Sequence, residues 1–153
     1  MGVWRRFTAA VFDGVLSCEE METLHSLIKE WRARYPGKTA DLAVIYPTRA
    51  GMTSAERKKW VEILKATEHV RLAGATVVLA DGMLGSVHRG IITSFNLIAP
   101  PPHPVKVCST VSAALTWLAP YIEETCGSVP IPALERELAA LSEEIQEARR
   151  ATA

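Results

Sequence analysis

The sequence predicts an α/β fold, and three observations carry that reading. Short, continuous apolar runs with β-branched centres mark strands buried on both faces, stripes of apolar residues at helical spacing separate them, and Pro or Gly stands at the changes of period. The pattern is densest from Gly74 to Leu118. Ala75-Thr76-Val77-Val78-Leu79-Ala80 reads as a buried strand closed by Asp81-Gly82. From Val87 the period becomes helical: Val87, Ile91, Phe95 and Ile98, with Ile92 beside them, form the face expected to meet the sheet, and His88, Arg89 and Asn96 fall elsewhere. Pro100, Pro101, Pro102 and Pro104 cannot continue a helix and make a stiff connector. Val105-Lys106-Val107-Cys108 then resumes as a strand. Ser109 or Thr110 caps a helix whose inner face is Val111, Ala114, Leu115, Leu118 and Ile122. Strand and helix in alternation are the grammar of a sheet with right-handed crossovers.

The earlier elements follow the same logic. Trp4 to Phe12 reads as one extended first strand, ended by Asp13-Gly14. Ser17-Cys18-Glu19-Glu20 has the capping-box form, so a helix starts there, with Met21, Leu24, Leu27, Ile28, Trp31 and Tyr35 at helical spacing until Pro36-Gly37. Leu42 to Tyr46 is a second buried strand, stopped by Pro47. Thr53-Ser54-Ala55-Glu56 is another capping box, opening a helix whose inner residues are Trp60, Ile63, Leu64 and Thr67. Its basic cluster, Arg57, Lys58, Lys59 and Lys65, is interleaved with Glu56, Glu62 and Glu68, the pattern of a solvated helix face.

Past the core, Gly127 to Pro132 reads as a proline linker, which sets residues 128–153 apart from a domain spanning 1–127. In that tail Leu134, Leu138, Leu141 and Ile145 step by four, three and four, an a/d seam among Glu135, Glu137, Glu143, Glu144 and Glu147. Such a seam either docks on its own domain or pairs with another chain; barely two heptads make an independent coiled coil marginal.

Composition bounds the function. At 153 residues the chain can bury roughly two thirds of its unfolded surface and needs no disulfide or metal to hold a core. Seventeen basic residues balance seventeen acidic ones, which leaves no net field to draw in nucleic acid or an anionic membrane. Cys18, Cys108 and Cys126 are odd in number and lack C-x-x-C spacing, which fits small core residues in a reducing compartment. The longest apolar runs are cut by prolines well short of a membrane span, and no secretory signal stands at the start; a cytoplasmic protein is expected.

Chemical signatures are scarce. There is no G-x-G-x-x-G, no G-x-x-x-x-G-K-[ST] and no G-x-S-x-G. His25, His69, His88 and His103 are scattered without the i, i+4 spacing of a helical metal site, so no metal or other cofactor is expected. Asp13, Asp41 and Asp81 could border a crevice at strand ends, but two of them precede glycine and are explained as turns. An enzyme using Asp81, Ser86 and His88 is the weakest reading, and no catalytic residue is assigned. A candidate anion site is Gly82, Gly85 and Ser86 at a strand-to-helix turn, with Arg89 one turn beyond.

The run Val77 to Leu79, Gly82, Arg89, the proline bridge, Val105 to Cys108 and Ala113-Ala114-Leu115-Thr116-Trp117-Leu118 resembles the STAS superfamily of anti-sigma-factor-antagonist-like domains, in its divergent bacterial branch. The resemblance covers approximately residues 3 to 124 and rests on element order. It implies a mixed four- to five-stranded sheet with packed helices, to which the tail adds an amphipathic helix. It also implies a non-catalytic, regulatory adaptor working through contact with a protein partner, which the C-terminal seam allows to be a second copy of the chain; lipid-holding relatives of the fold supply the alternative, a carrier of an apolar ligand between sheet and helices. The family's phosphorylated Asp-Ser-x-Gly-type turn is missing. Thr53 and Ser54 stand in that region as candidate phosphorylation sites, at a helix N-terminus where negative charge is favourable.

Overall fold

A computed structural model describes residues 2–48, 51–80, 82–98 and 100–152 of the chain. Five strands form one sheet in chain order: β1 (Gly2–Trp4), β2 (Phe7–Asp13), β3 (Thr39–Tyr46), β4 (Arg71–Val78) and β5 (Val105–Cys108). The last four are parallel, and the three-residue β1 pairs antiparallel to β2 at the edge. The α/β class expected from the sequence is the class adopted.

Between the parallel strands run α1 (Cys18–Arg34), α2 (Ser54–Thr67) and α3 (Gly82–Ile98), with a single 3₁₀ turn at Glu68–Val70 leading into β4. Each crossover advances one strand in the same direction, and right-handed connections of that kind place all three helices on one face. Helices α4 (Val111–Cys126) and α5 (Ile131–Thr152) return across the other face.

Both capping boxes form. Ser17 Oγ accepts from Glu20 N while Glu20 Oε2 accepts from Ser17 N, and Thr53 and Glu56 repeat the exchange. Thr110 caps α4 by accepting from Ala113 N.

The main core lies between the sheet and α4 with α5. Alternate strand residues (Phe7 and Ala9, Ala40 to Val44, Ala73 to Val77) meet Ala114, Leu115, Leu118 and Ile122, the inner face read from the sequence. Leu134 and Leu138, each 1% exposed, belong to this same cluster. The seam read as a partner surface is therefore turned inward over its first half. Leu141 and Ile145 are half-buried, and Gln146 Nε2 donates to Tyr46 Oη at 3.2 Å, tying α5 to the end of β3. The reason is geometric: the proline linker brings α5 back beside α4, where β2 still has an apolar face to cover.

Two further expectations are revised. The extended stretch Trp4 to Phe12 breaks into a hairpin, because Trp4 pairs with Phe7 and Arg5 adopts a left-handed φ of 51°. Helix α3 also begins at Gly82 instead of near Val87.

Candidate functional site

The strand-to-helix turn after β4 is held by backbone contacts. A Cβ on Gly85 would collide with the Ala80 carbonyl oxygen and stand 2.8 Å from its carbon, so only glycine lets the first turn of α3 press against the strand end. One turn later Arg89 donates from Nη1 to Val78 O at 3.3 Å and from Nη2 to Ser86 Oγ at 3.4 Å. Ser86 in turn donates to Gly82 O at 3.1 Å, so it acts within the helix and does not cap it. The four residues of the candidate anion site are thus brought together, but as a clamp: the guanidinium is engaged by a main-chain carbonyl and a hydroxyl. Asp81 lies outside the described residues.

That clamp decides which way α3 faces. Gly85, His88, Arg89, Ile92 and Asn96 turn toward the sheet, and His88 is 8% exposed. Its Nδ1 lies 3.1 Å from Leu84 O, an atom that can only accept, so Nδ1 donates there, and the buried Nε2 has no hydrogen-bond partner among the described residues. Of the face expected inside, Ile92 is turned inward, but Val87 and Ile91 are outside. Val87 is 43% and Ile91 39% exposed, and the side chains of Phe95 and Ile98 lie outside the described residues. Met83 at 83% and Leu97 at 77% extend the same exposed surface, and the sequence reading missed both.

The outward face of α3 has an unusual chemistry. Its exposed residues include Met83, Leu84, Val87, Ile91 and Leu97 with glycine, serine and threonine between them, and not one carries a charge. The helix's only arginine is the inward-turned Arg89. Met83, Val87 and Ile91 form a ridge at spacing four, and Ser86, Gly90 and Ser94 a shallow row at the same spacing beside it. Nothing lies within 4 Å of a Cβ built on Gly90.

A second constellation sits at the opposite end of the sheet, where the parallel strands begin. Thr8 Oγ1 donates to Asp41 Oδ1 at 2.6 Å, and Asp41 Oδ2 lies 2.9 Å from Arg71 Nε. Arg32 of α1 stands near both; burial pulls its pKa down, Asp41 acts to raise it and Arg71 to lower it. His103 approaches from the proline connector, with its pKa lowered first by burial and then by Arg71, against Asp41 and Glu68. The three aspartates considered for a shared crevice do not converge: Asp13 ends its strand, Asp41 lies near the start of the next, and Asp81 is not described.

Thr53 has its hydroxyl committed to Glu56 N, and the Glu56 carboxylate occupies Thr53 N. A phosphate on Thr53 would meet that carboxylate; Ser54, exposed at the first position of α2, has no such neighbour in the capping exchange. Among the described residues no three His, Cys, Asp or Glu side chains gather as a metal site, and no helix is long and apolar enough to cross a membrane. No protein-family model, characterised protein or solved structure matches the chain.

Proposed function

We propose that this chain is a non-catalytic interaction module of STAS-like type, and that its contact surface is the outer face of α3, occupied by a second copy of the chain. One observation carries the reading: an α-helix exposes Met83, Val87, Ile91 and Leu97 to water with no charged residue among them. Contiguous apolar surface of this kind marks interaction sites on soluble domains. Support for the STAS-like part comes from a five-stranded sheet with one antiparallel edge strand and packed helices, the mixed arrangement that the resemblance implies.

A second copy suits the surface better than a charged partner. Without charge the face has nothing to steer or select an acidic or basic protein, whereas two identical faces meet without repulsion. An isologous contact must also be self-complementary. Here the ridge of Met83, Val87 and Ile91 and the shallow row of Ser86, Gly90 and Ser94 lie side by side, so each copy's ridge can enter the other's groove in a crossed pair at about −50°. The absence of lysine and arginine from the exposed face argues against docking on an anionic membrane. A one-helix contact falls at the small end of interfaces, below about 1,200 Å² in total, so the dimer should dissociate on dilution.

Sedimentation equilibrium over a dilution series tests this. A monomer–dimer equilibrium is expected, abolished by Val87→Glu and by Met83→Glu with an unchanged far-ultraviolet circular dichroism spectrum. A monomer at every concentration, or a dimer indifferent to both substitutions, refutes the α3 interface.

A further inference from the structure

A cleft of about 400 Å³ opens where the β1–β2 hairpin meets the ends of α1 and α4. Arg5 and Arg6 reach it from the hairpin tip and Arg34 from the last turn of α1; Tyr35, Thr125 and Cys126 complete most of its wall. The lining includes no carboxylate. Among the described residues no ion pair or side-chain hydrogen bond engages any of the three guanidinium groups. In a chain whose formal net charge is zero, the lining itself carries three arginines and no acidic residue.

The backbone is shaped to produce that lining. Arg5 occupies the left-handed region at φ 51°, a conformation that costs a side-chain-bearing residue energy and that hairpins ordinarily assign to Gly or Asn. Gly37, at φ 117°, leaves room for Arg6: a Cβ there would stand 2.8 Å from Arg6 Nη1. The main-chain Arg6 O accepts from Ala40 N at 3.1 Å, which fixes the hairpin to the start of β3.

The charge can be counted. Three guanidinium groups contribute three positive charges, and the C-terminal ends of α1 and α4 each offset about half a charge. About two positive charges remain, the complement of a phosphate monoester, which carries roughly −1.5 to −2 at neutral pH. Guanidinium forks hydrogen-bond phosphate oxygens in pairs, and the volume falls within the range of small-molecule sites, well beyond a bare ion.

We propose that this cleft binds the phosphate group of a small phosphorylated molecule, held by Arg5, Arg6 and Arg34, with the Tyr35 ring beside the organic portion. The site lies at the end of the sheet where the parallel strands begin and does not depend on the α3 interface. Isothermal titration calorimetry of the full chain with inorganic pyrophosphate at low salt, with potassium chloride at matched ionic strength as control, is the test. Saturable binding that weakens with added salt is expected. Arg34→Gln should weaken it about tenfold, the scale of one charge-assisted hydrogen bond. Arg5→Gly should weaken it similarly while holding or raising Tm, because glycine adopts the left-handed turn freely. Vesicles of phosphatidylcholine and phosphatidic acid, roughly four to one, separate the sources of the phosphate. Pyrophosphate binding without vesicle retention assigns it to a soluble molecule; retention lost in Arg34→Gln, with no response to pyrophosphate, assigns it to a lipid headgroup. If neither probe binds, or if both variants bind as the parent does, the proposal is wrong.

Discussion

Asp41 Oδ2 lies 2.9 Å from Arg71 Nε, yet the approach leaves neither atom hydrogen-bonded, and both side chains are about four-fifths buried. The contact exists because the β3–β4 register shifts between Thr39 and Ala40, which lets Arg71, paired with Thr39, share the Asp41 face. Asp41 also accepts from Thr8 Oγ1, so one carboxylate serves two strands. Removing its charge strands Arg71 with Arg32 nearby. Asp41→Asn should therefore cost about 3 kcal/mol in urea denaturation, the low end for breaking a buried pair because some of each side chain stays wet. The double variant Asp41→Asn, Arg71→Met should recover part of that loss. A single-variant cost below about 1 kcal/mol would mean that solvent screens the pair as it does on a surface.

The same neighbourhood sets a pH dependence. Burial first, then Arg71, depresses His103 below its ordinary value of 6.5, while Asp41 and Glu68 oppose the shift. A base depressed in the folded state leaves the unfolded chain binding more protons between the folded value and 6.5. Stability is then full above 6.5 and falls as the pH drops through that window. The urea midpoint should decline on acidification from neutrality, and His103→Gln should flatten the decline before carboxylates such as Glu20, lowered by its bonds to Ser17, begin to titrate at still lower pH. An unchanged slope in His103→Gln would place the responsible group elsewhere.

Signals within a single helix were legible and contacts between neighbouring segments were not. The capping pairs Ser17–Glu20 and Thr53–Glu56 need only four residues each, so sequence located both helix starts. The inner face of α4 was equally plain, because Ala114, Leu115, Leu118 and Ile122 recur at helical spacing and the buried Thr125 hydroxyl is satisfied by the Tyr121 carbonyl. In α3 the apolar period put Val87 and Ile91 on the wrong side. Two contacts with the preceding segment turn the helix: Gly85 must approach Ala80, and Arg89 finds Val78 O, neither of which leaves a periodic trace. Burying Arg89 and His88 is tolerable since main-chain carbonyls accept from both. The hairpin at Arg5-Arg6 was invisible for a different reason: the left-handed residue is arginine, where turn chemistry leads one to look for Gly or Asn. The arginine cleft depends on that hairpin and was hidden with it.

The cysteines should differ sharply in reactivity. Cys108 and Cys126 are buried thiols, whereas Cys18 at the start of α1 is partly accessible. Burial raises the Cys108 pKa, and Lys106 only partly counters it, so little thiolate forms there near neutrality. Titration of the native protein with a disulfide reagent should modify one thiol quickly and the other two only on unfolding. Fast modification of Cys108 in the native state would contradict the packing at the end of β5.

The tail provides the last test because its apolar seam has two competing uses. Leu134 and Leu138 stand among the largest fully buried side chains and share one cluster with Leu115, Leu118 and Ile122. Each truncation to alanine should cost about 2–5 kcal/mol, the range for an aliphatic side chain lost from a packed core. Leu141→Ala, at a half-buried position further along the helix, should cost less. Deleting residues 128–153 removes both core leucines at once and uncovers apolar surface on α4 and β2, so the shortened chain should lose its sharp thermal transition and bind a hydrophobic dye. A cooperative transition retained by residues 1–127 would show that the sheet and α4 close a core by themselves. In that event the helix would be free to serve a partner after all.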